Sequence, residues 1–182
     1  MSKYLATHNT VGLIVDFQER LMPVMQQGEA CVNHSRILLK GLQALDIKLI
    51  VTEQYSKGLG KTISEIQEVL PAEYSLFEKT TFSALTPEVS AELEKNHIDN
   101  VIILGAEAHV CMLQSVLDLQ KYGFQTYVPF ECTTSRLLEN KQNALTQMQA
   151  AGAIVSNVES LLFQLLKDCQ HPAFKIVSNL IK

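Results

Sequence analysis

Asn100-Val101-Ile102-Ile103-Leu104-Gly105-Ala106-Glu107-Ala108-His109-Val110-Cys111 is the stretch on which the fold turns. Val101 to Leu104, closed by Gly105, is a short apolar block that reads as a strand buried on both faces. After Cys111, the segment Met112-Leu113-Gln114-Ser115-Val116-Leu117-Asp118-Leu119-Gln120 carries apolar residues at helical spacing. Cys111 therefore falls where a strand gives way to a helix N-terminus. Unpaired backbone N–H groups and the helix dipole favour negative charge there, conditions that stabilise a thiolate. The plainer alternative is a buried cysteine acting as a small hydrophobe. The rest of the chain decides between them.

Working outward, apolar β-branched blocks alternate with amphipathic segments. Val11 to Val15 ends at Asp16, Lys48 to Val51 ends at Thr52-Glu53-Gln54, Gln125 to Phe130 reads as a further strand and Ala153 to Ser156 as the last. Helical patterns cover about Glu29 to Leu45, Pro87 to Asn96, Val110 to Tyr122, Leu138 to Ala151 and Val158 to Asp168. Gly123 and Gly152 stop two of these just before strands. This rhythm implies an α/β fold, a parallel sheet covered by helices on both faces, and one domain over residues 1–182. In such sheets reactive groups collect at the carboxyl ends of strands. Asp16 and Cys111 follow strands. Lys79 lies in the one long irregular stretch, Tyr55 to Leu85, of a length that is usually functional or mobile.

Bulk properties narrow the function classes. The chain has 182 residues, with 15 basic and 19 acidic side chains and a net charge of −4. No basic stripe attracts nucleic acid or an anionic membrane. Four widely spaced cysteines (Cys31, Cys111, Cys132, Cys169) contain no CxxC pair. The N-terminal Met1 to His8 has no apolar leader core, and no apolar run is long enough to span a bilayer. These features lead us to expect thiols in a reducing cytoplasm, with an organelle matrix also open.

A thiol attacking a carbonyl must lose its proton, be stabilised as an anion, and deliver the oxyanion to donors. Asp16 can take the proton, Lys79 can hold both anions, and backbone amides can meet the oxyanion. Three segments together resemble the isochorismatase-like cysteine hydrolases: Leu13-Ile14-Val15-Asp16-Phe17-Gln18, Lys79-Thr80-Thr81-Phe82-Ser83-Ala84, and Gly105-Ala106-Glu107-Ala108-His109-Val110-Cys111. Thr52-Glu53-Gln54-Tyr55 with Gly58-Leu59-Gly60 looks closest to the isochorismatase domain-containing branch. The resemblance implies a three-layer, Rossmann-like fold with a six-stranded parallel sheet. It also implies Cys111 as nucleophile, Asp16 as general acid/base and Lys79 as charge partner. It places a non-proline cis peptide at Ala106-Glu107, aiming the amides of Glu107 and Cys111 at the oxyanion. Phe17, Gln54, Tyr55, Phe82 and His109 are the candidates for the substrate pocket. Metal-dependent nicotinamidases of the superfamily carry Asp-x-His where this chain has Thr52-Glu53-Gln54, and no histidine occurs between His34 and His97. No metal and no organic cofactor is therefore expected.

Other readings are weaker. Gly58-Leu59-Gly60-Lys61-Thr62 imitates a phosphate loop, but Tyr55 stands where that motif needs glycine. Gly-x-Ser-x-Gly is absent. His109 reads as pocket wall rather than metal ligand. Glu53 and Glu107 read equally as pocket residues or as hydrogen-bonded loop carboxylates. Cys132 reads as structural, and Cys31 and Cys169 as helix packing residues. Leu161-Leu162-Phe163 with Leu165-Leu166 is core or subunit contact, and Ala173 to Ile181 an exposed apolar tail suited to a homo-oligomer. The expected function is cysteine-dependent hydrolysis of an amide, ester or vinyl ether bond in a small molecule, through a covalent thio-intermediate. The alternative is a non-catalytic binding or scaffolding protein that keeps the fold.

Overall fold

Alternate residues of the central strands go to opposite faces, and both faces are covered. The computed structural model describes residues 5–182; the first four residues of the N-terminal stretch read for a leader lie outside it. The chain runs β1 (Thr10–Val15), α1 (Gly28–Ala44), β2 (Lys48–Gln54), the short helices α2 (Ser56–Leu59) and α3 (Ser64–Gln67), and β3 (Ser75–Lys79). It continues through α4 (Pro87–Lys95), β4 (Asn100–Ala106), α5 (Leu113–Lys121), β5 (Gln125–Pro129) and β6 (Thr133–Thr134). The last elements are α6 (Leu138–Ala150), β7 (Ile154–Ser156), α7 (Val158–Leu166) and α8 (Phe174–Leu180). Leu13, Val15, Val101 and Ile103 pack under α4, α5 and α6, while Ile14, Ile102 and Leu104 pack under α1, α7 and α8. That alternation needs apolar residues on both faces of β1 and β4, which is why Val11 to Val15 and Val101 to Leu104 read as unbroken blocks after the polar Thr10 and Asn100.

The strands pair in the order β3-β2-β1-β4-β5-β7, all parallel. The seventh strand, β6, also pairs with β4, at Gly105 and Ala106, whereas β5 pairs lower down, at Asn100 to Ile102. Six positions were expected and seven strands are found among the described residues, because a turn at Phe130–Cys132 separates β5 from β6 on the same side of β4. The order reverses between β1 and β4, so a crevice opens at their carboxyl ends. Asp16 leaves one of these strands and Cys111 follows the other.

Two expectations are corrected. Residues 55–85 are not one irregular loop: they hold α2, α3 and the edge strand β3. The alternation of β3 is muted, with Leu76 and Glu78 exposed and only Lys79 buried, so no apolar block marks it. The C-terminal segment is not an exposed tail. Leu161, Leu162, Leu165 and Leu166 are core, Ala173 and Val177 are buried, and only Phe163 and Ile176 of its large apolar groups are exposed. Gly41 on α1 is what admits Leu162, since a Cβ there would lie 2.5 Å from its Cδ2. Among the described residues, no helix is long and apolar enough to cross a membrane.

Candidate active site

Three strand ends deliver three side chains to one point. Asp16 sits in a left-handed conformation (φ 55) just past β1, which turns its carboxylate inward. Lys79 is the last residue of β3, and its ammonium donates to Asp16 Oδ2 at 2.7 Å. Both side chains are fully buried. Thr52 Oγ1 donates to the other carboxylate oxygen at 3.0 Å. The Cys111 thiol lies near enough to Asp16 and Lys79 for both charges to shift its titration. Two strands, β2 and β1, stand between β3 and β4 in the sheet, so the long lysine stem is what closes the distance.

The environment of Cys111 differs from the sequence expectation. The residue sits inside a π-helical turn, Ala108–Met112, and α5 begins only at Leu113. The Glu107 carbonyl accepts from the amides of Val110 (3.1 Å) and Met112 (3.2 Å), and Ser115 Oγ donates to the Cys111 carbonyl at 2.6 Å. Burial and then the Asp16 charge push the thiol up to about 12, against the opposite pull of Lys79. Desolvation and an adjacent anion outweigh the terminus effect, so the resting sulfur carries its proton. Burial likewise pushes Asp16 above the usual carboxylate range, with Lys79 opposing. The peptide Ala106-Glu107 is cis.

The remaining candidates divide. Phe17 is enclosed in the core on the α1 face and offers no surface to a ligand. The pocket assignment for it is corrected: it directly follows Asp16, but it packs into the core with α1 residues rather than lining open space. Gln54 bonds Lys79 (2.7 Å) and the Thr80 carbonyl (2.8 Å) rather than facing open space. Tyr55 and Phe82 are exposed, and the Phe82 carbonyl accepts from Lys79 at 3.1 Å. His109 is half-buried, with Nδ1 3.0 Å from Ser135 Oγ and Nε2 3.4 Å from the Asn140 amide. Glu53 takes the loop role: it accepts from Thr62 N, Thr62 Oγ1 and Lys61 Nζ. Glu107 pairs with Arg136 at 2.9 Å. Sequence reasoning missed Thr52 as a partner of Asp16, and it quoted Gln18 without giving it work. The signal for Thr52 was a polar residue closing an apolar strand. Among the described residues, no three or more His, Cys, Asp or Glu groups are placed to hold a metal ion. A cavity of about 260 Å³, lined by Lys48, Glu73, Tyr74, Glu92 and Asn96, opens at the opposite, N-terminal edge of the sheet, away from these residues.

The other thiols set a labelling order. Cys31 and Cys132 are buried, and Cys169 is exposed in a turn after α7 rather than packed in a helix. Iodoacetamide at neutral pH should therefore modify Cys169 first, by at least about tenfold over Cys111, with Cys31 and Cys132 resisting until unfolding. Peptide mass mapping over time reads this directly. Labelling of Cys31 or Cys132 ahead of Cys169 would contradict the burial pattern.

Comparison with known proteins agrees with this architecture. The Isochorismatase domain model matches residues 10–160. Isochorismatase domain-containing protein 1 of Salmo salar is 39% identical over 174 residues, 95% of this chain and 61% of that protein. This chain thus spans less than two thirds of that relative's length. The secreted isochorismatase effector Isc1 of Phytophthora sojae is 34% identical, covering 98% of this chain and 87% of its own. A solved structure described as a MAR1 ribonuclease from Caenorhabditis elegans superposes with a TM-score of 0.94 at 36% identity, covering 97% of this chain and 91% of that one. A family model that runs from the start of β1 to the first turn of α7 takes in all three strand ends and the turn around Cys111, and the chain belongs to the isochorismatase domain family.

Proposed function

We propose that the protein is a cysteine hydrolase of a small molecule bearing an amide, ester or vinyl ether bond. The observation that carries the reading is the fully buried Lys79–Asp16 pair at 2.7 Å, set beside the Cys111 thiol whose titration both groups shift. Removing two charges from water is costly, and well-packed apolar residues would serve stability as well or better. A charged pair kept beside a thiol at a strand-order reversal supports a chemical role over a structural one.

In the proposed reaction, Asp16 accepts the thiol proton as Sγ attacks the electrophilic carbon. Lys79 stabilises the carboxylate and the developing thiolate, and the amides of Glu107 and Cys111 receive the oxyanion. Asp16 then returns the proton to the leaving group, leaving an acyl- or alkyl-thio intermediate on Cys111. Water, deprotonated by Asp16, releases it. Every group comes from the chain, so turnover should survive exhaustive chelation. We further propose a single domain acting in a reducing compartment. Homo-oligomers are supported by exposed apolar groups such as Val24, Tyr55, Phe82 and Leu137.

The C. elegans neighbour is named a ribonuclease, but a net charge of −4 favours a small molecule over a polyanion. The deciding experiment is a turnover screen of amides, esters, ureides and hydroxamates, with an RNA arm and a Cys111→Ala control. Hydrolysis of RNA alone would displace the small-molecule reading, and no turnover of any class would favour a scaffold.

The raised carboxyl fixes a pH dependence. Asp16 must be ionised to act as base, and its folded value lies above the ordinary 3.8. Activity should therefore be present above that raised value and disappear as pH falls through it. The acid limb of kcat/KM should lie above 3.8 and move in an Asp16 variant. A profile flat down to 3.8 would remove Asp16 from the base role.

A further inference from the structure

Lys79 is held by more than its carboxylate. An ammonium has three N–H donors, and four acceptors surround this one: Asp16 Oδ2 at 2.7 Å, Gln54 Oε1 at 2.7 Å, and the carbonyls of Phe82 and Thr81 at 3.1 and 3.3 Å. The two carbonyls belong to the chain just after Lys79. Asp16 and Gln54 come from other strands, and theirs are the short bonds. The orientation of the Gln54 amide is set, because its nitrogen donates to the Thr80 carbonyl at 2.8 Å. Turned over, it would place N–H groups against the ammonium and an oxygen against a carbonyl.

The backbone of Gln54 is fixed in turn. Gln18 Oε1 accepts from Gln54 N at 2.8 Å, and Gln18 Nε2 donates to the Gln54 carbonyl at 3.0 Å and to the Gly60 carbonyl at 2.8 Å. Gln18 is fully buried, and both its amide atoms are bonded. Gln18 lies two residues beyond Asp16. The contacts therefore close a ring, Gln18 to Gln54 to Lys79 to Asp16, that ties together the ends of β1, β2 and β3.

We infer that Gln54, clamped by Gln18, is a positioning residue: its neutral amide orients the Lys79 ammonium and leaves Asp16 as that ammonium's one carboxylate partner. The inference rests on reading Asp16, Lys79 and Cys111 as the reacting set. The other charged groups nearby are engaged elsewhere. Glu53 on β2 faces Lys61 and Thr62, Glu78 on β3 accepts from Ser56 N, and Glu107 beyond β4 pairs with Arg136. His109, two residues before Cys111, contacts Ser135 and Asn140. A carboxylate at position 54 would be a second anion on Lys79 and a like charge beside Asp16, which raises the Asp16 titration.

The test uses Gln54→Glu and Gln54→Met in the full chain, each checked by thermal melting. The Asp16 carboxyl is followed by carbon-13 NMR against pH, and the Lys79 ammonium by its nitrogen-15 signal. We expect the Asp16 midpoint to rise by about one pH unit in Gln54→Glu, and the Lys79 signal to broaden in Gln54→Met. An unchanged midpoint, or a Lys79 signal as sharp as in the parent, in a variant that melts with the parent would overturn the inference. Neither readout needs a substrate. A parent without turnover whose variants shift would sink the hydrolase reading alone, whereas an active parent with unmoved variants would sink this inference alone.

Discussion

Cys111→Ala should reduce turnover of any substrate by on the order of 10³ to 10⁶ while leaving the fold intact. The sulfur is the atom proposed to bond to substrate, and no other described thiol can substitute: Cys31 and Cys132 are buried elsewhere and Cys169 is on the surface. Stability should change little, since the residue is small and replaced by a similar apolar group in the core under α4 to α6. Cys111→Ser should fail almost as badly. A hydroxyl at that site would face the same burial and the same Asp16 charge that already push the thiol up to about 12, starting from a far less acidic group. Cys169→Ser should keep full activity, because that side chain touches nothing in the site. Steady-state rates with matched melting curves check all three. Undiminished turnover by Cys111→Ala would end the cysteine mechanism.

Gly105→Ala should be the most damaging conservative substitution for folding. Gly105 has φ +141, a conformation open to glycine and strained for any L side chain. It also pairs with Val15, and a Cβ there would sit 1.9 Å from the Val15 carbonyl oxygen and 2.7 Å from its carbonyl carbon. No side-chain adjustment relieves a clash with backbone in the centre of a sheet. β4 would have to leave β1, separating the segment that carries Cys111 from the one that carries Asp16. We expect a loss of more than about 4 kcal/mol, a large share of the ~5–15 kcal/mol typical of a domain. Soluble yield and the denaturation midpoint measure it. A midpoint within about 1 kcal/mol of the parent would show that the strand pair can separate without cost.

The sequence was legible where burial is two-sided. β1 and β4 sit in the middle of the sheet with both faces covered, so each appears as an unbroken apolar run, and their positions locate Asp16 and Cys111. β3 was not legible, because an edge strand exposes Leu76 and Glu78 and shares no pattern with the core strands. Lys79 was singled out from its motif although the strand that carries it was not recognised. β6 was hidden as well: the strand read from Gln125 ends at Phe130, and two residues, Thr133 and Thr134, beyond the turn at Phe130–Cys132 are too few to show a pattern. Electrostatics misled for a physical reason: proximity to a helix start is visible in a sequence, whereas the depth of burial that reverses its effect on Cys111 is not. The roles of Thr52 and Gln18 depend on contacts 36 residues apart in the chain, which no local pattern encodes.

A covalent bond from substrate to the Cys111 sulfur is the step on which the proposed hydrolysis depends. Rapid acid quenching of the parent protein during turnover of a slow ester or amide, followed by peptide mass mapping, should find the acyl group on the peptide containing Cys111 and on no other. The same mass increment on a different residue, with Cys111 unmodified while product accumulates, would contradict it.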